Sequence, residues 1–252
     1  MSHLKSNIFH NYLTVRGNNI DNASDKVEQN RFDQIVTENY LSFIENNANS
    51  LLEIGCYKGY TIKAIKKYTP IQNIEGIELS NDAVEYAKKY SGINSIYQAD
   101  AFDFLKQKEN SYDVIIMKAV LEHINKDRIG ELLGLINNAL TEQGVVIIAV
   151  PNMDWIMANH ERYMDFTHEV GFTIESLYDV MHHYFNNIKV MPMKYDFILN
   201  TKSFIRIKLF KPISVLFIKF LYKSIGQGAF VETLFDRAIM SVGKKQLNNN
   251  RK

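Results

Sequence analysis

The strongest constraint on the fold is an alternation of short apolar runs with helical stretches, which begins after Ser50. Parallel strands joined by helical crossovers produce this rhythm, because each crossover covers a face of the sheet. One run, residues 112–117, is apolar at nearly every position, as expected for a strand buried on both faces. An α/β fold is therefore predicted, with its ligand at the carboxyl ends of the strands. The predicted strands are residues 51–54, 74–79, 93–98, 112–117 and 145–150.

The regions before and after this alternation are expected to complete the fold. An amphipathic helix is predicted from Asp25, because Asp25 and Glu28 form a capping-box pair and apolar residues follow at helical spacing. Two further strands, residues 188–197 and 238–242, are expected to form an antiparallel hairpin at the end of the sheet. The predicted segments are an N-terminal helical extension or cap (1–48), a ligand-binding core (49–200), a helical insert (201–231), a last core strand (232–245) and a disordered tail (246–252).

Composition excludes several classes of function. Lys and Arg total 29 and Asp and Glu total 28, and a net charge of +1 argues against a globally basic nucleic-acid-binding protein. The single cysteine, Cys56, rules out a disulfide framework or a cysteine zinc site within one chain. The N-terminal residues show no secretory signal, and no run of about 18 uncharged apolar residues occurs. We therefore expect a cytoplasmic protein that binds no nucleic acid.

The turn after the first predicted strand has the pattern of a nucleotide site. Gly55 permits a sharp turn and a close approach of a ligand, and Gly59 lies where a helix begins. Glu78 ends the second strand, where a carboxylate accepts hydrogen bonds from ribose hydroxyls, and Asp100 ends the third. Bulky residues stand where a dinucleotide site needs another glycine, and the GK[ST] of a P-loop is absent. This combination predicts a ligand that contains a nucleoside.

Four segments resemble successive motifs of the class I S-adenosylmethionine-dependent methyltransferases: LLEIGCYKGYT, GIELS, QADAFDFL and YDVIIMKAVLEHI. The resemblance covers residues 51–151 and implies a Rossmann-like, seven-stranded sheet with helices on both faces. The residues outside it predict a helical N-terminal extension and a basic, apolar insert before the last strand. The resemblance also implies S-adenosylmethionine as cofactor and S-adenosylhomocysteine as product. By this resemblance the methionine part would be surrounded by Glu53, Gly55, Tyr57 and Gly59, the ribose held by Glu78, the adenine contacted by Leu79, Asp100 and Ala101, and the space toward the acceptor lined by Lys118.

The charged segment after the fifth strand is the predicted acceptor site. It resembles the R-x-x-D-x-T-H-x-x-x-F-T-x-x-S-L pattern of methyltransferases from bacterial polysaccharide and capsule gene clusters. A sugar hydroxyl must lose a proton when it is methylated, and histidine is the usual base, whereas an anionic oxygen needs none. We predict His168 as base, oriented by Asp165, with Arg162 on the acceptor and His123 as a second candidate. The alternative interpretation is a solvated charged loop before a helix that Thr173 caps.

The same residue types could also hold a divalent metal ion. His123, His160, His168 and Asp165 offer suitable ligand atoms, and some O-methyltransferases bind their acceptor through such an ion. No histidine pair has the i, i+4 spacing of a helical metal site. We therefore expect no metal site.

The sequence predicts an S-adenosylmethionine-dependent O-methyltransferase. Its acceptor would be a carbohydrate, or a phosphate- or phosphoramidate-type substituent of one, in bacterial capsule or surface-polysaccharide biosynthesis. One alternative is a small-molecule or lipid methyltransferase whose acceptor pocket the insert forms; another is a non-catalytic dimerisation module of the same fold. The insert carries six basic residues and no acidic one. It could be a lid, a homodimer surface or a peripheral contact with an anionic membrane.

Overall fold

A computed structural model describes residues 3–14, 24–226 and 233–246 of the chain. A short helix, α1 (His3–His10), precedes α2 (Asp25–Ile35), which continues into a π-helical turn (Val36–Tyr40) and a 3-10 turn (Leu41–Phe43). The alternating region follows as β1 (Ser50–Ile54), α3 (Tyr60–Tyr68), β2 (Asn73–Glu78), α4 (Asn81–Ser91), β3 (Ile96–Gln98), α5 (Ala101–Leu105), β4 (Tyr112–Lys118), α6 (Ile129–Ala139) and β5 (Leu140–Pro151).

The C-terminal part adds two strands and the helices around them. These elements are α7 (Ala158–Tyr163), α8 (Ile174–His182), β6 (Phe185–Pro192), α9 (Thr201–Ile205), a π-helical turn (Arg206–Phe210), α10 (Lys211–Ser224) and β7 (Ala238–Lys245). Within the described ranges, no helix is both long and apolar enough to cross a membrane.

The seven strands form one sheet in the order β3-β2-β1-β4-β5-β7-β6. Strands β1 to β5 pair in parallel, and β7 runs antiparallel to both β5 and β6. The chain builds outward from β1 to β3 and then in the opposite direction from β4, so the order reverses between β1 and β4. A crevice forms beyond the carboxyl ends of the strands at such a reversal, which is where ligands of open α/β sheets bind. The predicted α/β, seven-stranded Rossmann-like fold is confirmed.

Each face of the sheet is covered by a separate apolar core. Alternate residues of β4 point to opposite sides, so Val114 and Ile116 join the core beneath α2, α3 and α4, while Ile115 and Met117 join the core beneath α5, α6 and α8. All four side chains are fully buried. This explains why the strand is apolar at consecutive positions, as predicted.

Several strand boundaries differ from the prediction. The third strand begins at Ile96 instead of residue 93, and the fifth begins at Leu140 instead of residue 145. The sixth strand is Phe185–Pro192 instead of residues 188–197. Its predicted end leaves the sheet because the side chain of Asn39 pairs with the backbone N–H and C=O of Lys194. The side-chain amide of Asn39 thus makes the two backbone hydrogen bonds that a neighbouring strand would have made with Lys194.

Parts of several predicted segments fall on residues that the structure does not describe. They are residues 1–2 and 15–23 of the N-terminal extension, 227–231 of the insert and residue 232 of the last core segment. The predicted tail lies outside the described residues from position 247 onward.

Candidate active site

A cavity of about 1070 Å³ opens at the carboxyl ends of the strands, where the strand order reverses. The ends of β1, β2 and β4 and the turns that follow β1, β3 and β4 line it. The N-terminal helix α1 contributes Lys5 and Phe9, and Tyr12 follows from the next turn. The cavity is large enough for a nucleoside-sized ligand together with a second molecule.

The turn after β1 forms one wall of the cavity and contains two residues with a positive φ, Gly55 and Tyr57. Gly55 has a φ of +74°, and a Cβ at this position would lie 2.3 Å from the Cγ2 atom of Val120. Tyr57 also adopts a positive φ, +45°, which a non-glycine residue tolerates only where its surroundings fix it. Its backbone N–H is fixed by a 3.0 Å hydrogen bond to Oε2 of Glu78. The strained turn is therefore held by the carboxylate at the end of the neighbouring strand.

Gly59 lies where α3 begins, as the sequence predicts, and packs against α4. It caps the N-terminus of α3 with a φ of +77°, and an added Cβ would lie 3.2 Å from both the Cβ and the carbonyl oxygen of Ala87. It does not line the cavity. The glycine is needed for the close approach of α3 to α4, which indirectly positions the turn.

Glu78 lines the cavity beside the turn after β1. Its Oε1 accepts hydrogen bonds from the N–H groups of Leu79, at 2.7 Å, and Ser80, at 3.2 Å. Burial raises the pKa of Glu78, and these backbone hydrogen bonds oppose the increase. A carboxylate has about four acceptor positions, and three backbone N–H groups are bound here. Glu78 therefore retains room for a hydroxyl donor from a ligand.

Glu53 and Lys118 are two further ionisable residues of the cavity lining. Glu53 is buried, its Oε2 has no hydrogen-bond partner among the described residues, and burial raises its pKa to about 8. Burial opposes the charged form of Lys118, but the nearby Tyr195, Glu122 and Glu53 outweigh it and raise the pKa of Lys118. A buried acceptor without a partner is costly. Glu53 is thus suited to a positively charged N–H donor.

The third strand end supplies an apolar wall with one polar group. Asp100 accepts a 2.9 Å hydrogen bond from the N–H of Phe102 and so caps α5. Leu79, Ala101 and Phe102 line the cavity beside it. An aromatic base between these side chains would have the Asp100 carboxylate at its edge.

The N-terminal helix closes the other end of the cavity. Lys5 donates to the backbone oxygen of His123 at 2.7 Å and to Oε1 of Glu169 at 2.6 Å. The ring of Phe9 contacts the His123 ring edge-on, with centroids 5.5 Å apart. Tyr12 donates its hydroxyl to Oδ2 of Asp165 at 3.2 Å. Residues 3–14 therefore form a cap over the histidine end of the cavity, and the cap also contacts the turn after β1 and the start of α4 through Tyr12 and Thr14.

His123 is connected to Asp165 through Thr167. The Thr167 hydroxyl donates to Oδ1 of Asp165 at 2.6 Å, so its oxygen accepts from Nδ1–H of His123 at 2.9 Å. This network assigns the neutral His123 tautomer whose Nε2 carries no proton. Burial and the neighbouring His168 lower the pKa of His123 to about 4, which keeps the ring neutral at pH 7. The arrangement leaves Nε2 as a proton acceptor in a residue that lines the cavity.

Arg162 and His168 lie outside the cavity lining. The Arg162 guanidinium donates to the backbone oxygens of His168, at 2.7 Å, and Glu169, at 3.0 Å. The His168 ring packs beside His123, with centroids 4.7 Å apart, and burial lowers its pKa. These contacts indicate that Arg162 and His168 shape the loop that supports His123. His160 is exposed on α7.

One group of side chains has the spacing of metal ligands. Ligand atoms of Glu122, His123 and His168 all lie within 4.8 Å of one another. Glu122 is buried, and its Oε2 has no hydrogen-bond partner among the described residues. This group shares His123 and His168 with the four metal-ligand candidates from the sequence. It contains Glu122 and neither Asp165 nor His160.

The structure brings most of the predicted site residues to one cavity. Of the nine predicted cofactor residues, all but Gly59 line it, whereas His123 alone does so among the four predicted catalytic residues. Sequence reasoning missed Lys5, Phe9 and Tyr12, because the first 24 residues show no pattern that assigns them. It also missed Thr167, although this residue stands inside the charged pattern, between Asp165 and His168.

Comparison with known proteins identifies a matching family and relatives of similar sequence. The profile of a family described as "Methyltransferase domain" matches residues 25–190. A polyamine aminopropyltransferase of Clostridium botulinum is 29% identical over 119 residues, which cover 40% of this chain and 39% of that protein. A mitochondrial ubiquinone biosynthesis O-methyltransferase of Candida albicans is 24% identical over 143 residues, which cover 54% of this chain and 40% of that protein. The chain thus matches about two-fifths of the length of these curated relatives.

Solved structures share the fold over nearly the whole chain. A SAM-dependent methyltransferase from Archaeoglobus fulgidus superposes with a TM-score of 0.65 over 88% of this chain and 95% of that one, at 19% sequence identity. At this identity the likeness establishes the architecture of the sheet and its helices.

Proposed function

The chain belongs to the methyltransferase domain family, and we propose that it transfers the methyl group of S-adenosylmethionine to a carbohydrate hydroxyl. The observation that carries this proposal is one cavity with acidic groups suited to a nucleoside and an ammonium at one end and the Nε2 of His123 at the other. The charged segment that contains Asp165 and Thr167 supports an acceptor from bacterial capsule or surface-polysaccharide biosynthesis, because it resembles methyltransferases of such gene clusters.

At the cofactor end, the residues present fit S-adenosylmethionine. Glu78 would accept the ribose hydroxyls, and Asp100 would lie at the amino edge of an adenine that packs between Leu79 and Phe102. The unpartnered Oε2 of Glu53 would pair with the methionine ammonium. When bound, the cofactor supplies a sulfonium, which is an activated methyl donor.

At the acceptor end, the protein has to orient a hydroxyl and remove its proton. His123 accepts that proton at Nε2, and its Nδ1–H remains on Thr167, whose hydroxyl is bound to Asp165. The charge that develops on the imidazole is stabilised through Thr167 by Asp165. The cap of residues 3–14 excludes water from the reacting atoms and helps to align them.

The alternative acceptor pocket, built from the insert, has less support. None of the described insert residues, 201–226, lines the cavity. A small-molecule acceptor remains the second candidate, because the ubiquinone relative is an O-methyltransferase. It differs from the carbohydrate proposal in the shape of the acceptor and leaves the roles of Glu78 and His123 unchanged.

Cofactor binding is the first test. Calorimetry with the purified chain should give a dissociation constant of about 1 μM for S-adenosylmethionine or its demethylated product, which is within the range of enzyme substrate constants. Glu78→Ala should weaken binding by roughly 10- to 100-fold, because hydrogen bonds to a charged group are lost. Glu75→Ala is the matched control, since Glu75 lies on the same strand and outside the cavity lining. Absence of binding in the native chain, or equal affinity of both variants, would contradict the proposal.

Acceptor identity is the second test. Nucleotide sugars, glycan fragments, quinol-type small molecules and polyamines should be compared as acceptors with labelled S-adenosylmethionine. The proposal requires transfer to a hydroxyl oxygen of a sugar. Transfer only to a quinol or an amine would retain the family assignment and refute the carbohydrate acceptor.

A further inference from the structure

The helical insert lies at the same edge of the sheet as the cavity. The helix α9, the π-helical turn Arg206–Phe210 and α10 follow one another without interruption over residues 201–224, which we call the insert helix. It is connected to the carboxyl end of β6 and to the start of β7. In the sheet, Pro192 at the end of β6 pairs with Ile239, and Pro151 at the end of β5 pairs with Ala238. The chain therefore leaves β6 and enters β7 beside the carboxyl end of β5.

The apolar face of the insert helix is turned away from the protein. Ile213, Leu216, Phe217 and Phe220 have the i, i+3, i+4, i+7 spacing of one helical face, and between 62% and 71% of each is exposed. No residue of the insert helix is buried. A helix that packs on a globular domain normally turns such a face toward the core. A continuous exposed patch of this kind indicates an interaction surface.

The charges around this face are all of one sign. Lys202, Arg206, Lys208 and Lys223 are exposed, and no acidic residue occurs between positions 201 and 226. Lys211 is paired with Asp196 of the protein body. The insert carries six of the positive charges, so the rest of the chain has a formal charge of −5. The insert therefore has a net positive charge, whereas the rest of the chain has a net negative one.

Charge decides between the possible occupants of this face. Two copies of the insert helix would bring twelve basic residues together without an acidic partner in either helix, which opposes self-association through it. An anionic lipid surface offers the opposite charge and an apolar layer for Leu216, Phe217 and Phe220. We propose that the insert helix docks the cavity edge of the protein on an anionic membrane surface and lies in the plane of the interface.

Vesicle flotation tests this proposal independently of the enzymatic reaction. The full chain should float with vesicles of phosphatidylcholine mixed with phosphatidylglycerol, and much less with phosphatidylcholine alone. Lys202→Gln with Lys208→Gln should reduce binding by roughly 10- to 30-fold, as expected for two basic residues at an anionic surface. Lys66→Gln with Lys89→Gln is the matched control, because these lysines are exposed on α3 and α4, and it should bind as the native chain does.

The apolar face needs its own variant. Leu216→Gln with Phe220→Gln should abolish flotation and leave the thermal melting temperature unchanged, since both side chains are exposed. Equal flotation with neutral and anionic vesicles, or full binding by the Gln variants, would overturn the proposal. A native dimer in sedimentation without lipid that Leu216→Gln with Phe220→Gln converts to a monomer would also overturn it, in favour of a second copy of the chain.

Discussion

The two ends of the cavity are built in different ways. At the cofactor end, Tyr57 and Glu78 lie 21 positions apart and are placed directly by the ends of β1 and β2. At the acceptor end, contacts join residues much further apart: Lys5 reaches Glu169 across 164 positions, and Tyr12 reaches Asp165 across 153. The cofactor end follows from the sheet itself, whereas the acceptor end depends on the docking of the N-terminal cap. Changes at the acceptor end should therefore alter catalysis and leave cofactor binding intact.

The largest effect that separates the two ends is expected at His123. Because its Nε2 is the proposed proton acceptor, His123→Ala should lower kcat by roughly 10²–10⁴-fold. The dissociation constant of S-adenosylmethionine should remain unchanged. His168→Ala should lower kcat by only about tenfold, since His168 lies outside the cavity lining and acts through its contact with His123. Single-turnover rates and calorimetry on both variants give the two quantities.

A metal-dependent site would give a different result for the same variants. If Glu122, His123 and His168 held a divalent ion, His168→Ala and His123→Ala would be equally damaging. Chelation would then abolish turnover, and added Mg²⁺ or Mn²⁺ would restore it. The proton-acceptor role of His123 predicts turnover that is insensitive to chelators, so restoration by added metal would refute it.

A variant of the N-terminal cap should also affect the two ends of the cavity differently, but by a smaller factor than the His123 variant. Lys5→Met retains most of the apolar stem and removes the bonds to the His123 backbone and to Glu169. It should raise the KM for the acceptor by roughly 5- to 10-fold with little change in cofactor affinity, because charged hydrogen bonds that order the cap are lost. Lys66→Met, at an exposed lysine of α3, is the matched control. Weaker cofactor binding without a change in KM would show that the cap belongs to the cofactor end.

The same contrast explains what the sequence could predict. The residues of the cofactor end follow strands whose apolar runs are visible in the sequence, so Glu53, Glu78 and Asp100 could be assigned one strand at a time. Gly59 was placed in the right turn, but its packing against Ala87 depends on how two helices cross. The choice of His123 over His168 depends on which of the two rings lines the cavity, and the tautomer of His123 depends on the direction of the Thr167 hydroxyl; residue spacing encodes neither. Lys5 and Tyr12 act only through partners that the fold brings from distant positions.

The smallest predicted effect concerns the protonation of Glu53 at the cofactor end. Its pKa of about 8 means that the unliganded carboxyl is mostly protonated at pH 7. A bound ammonium stabilises the charged form, so binding should release a fraction of a proton, and affinity should rise a few-fold between pH 6 and about 7.5. The upper limit of this pH window stays below the range of about 7.7–8.0 in which an α-amino group itself loses its proton.

Calorimetry in two buffers of different ionisation enthalpy measures the proton release directly. Glu53→Gln should bind without proton release and with little dependence on pH, whereas His123→Gln should behave as the native chain does. A native affinity that is independent of pH in this window, with no proton released, would mean that Glu53 does not meet the ammonium and that the methionine end of the cofactor is held by other groups.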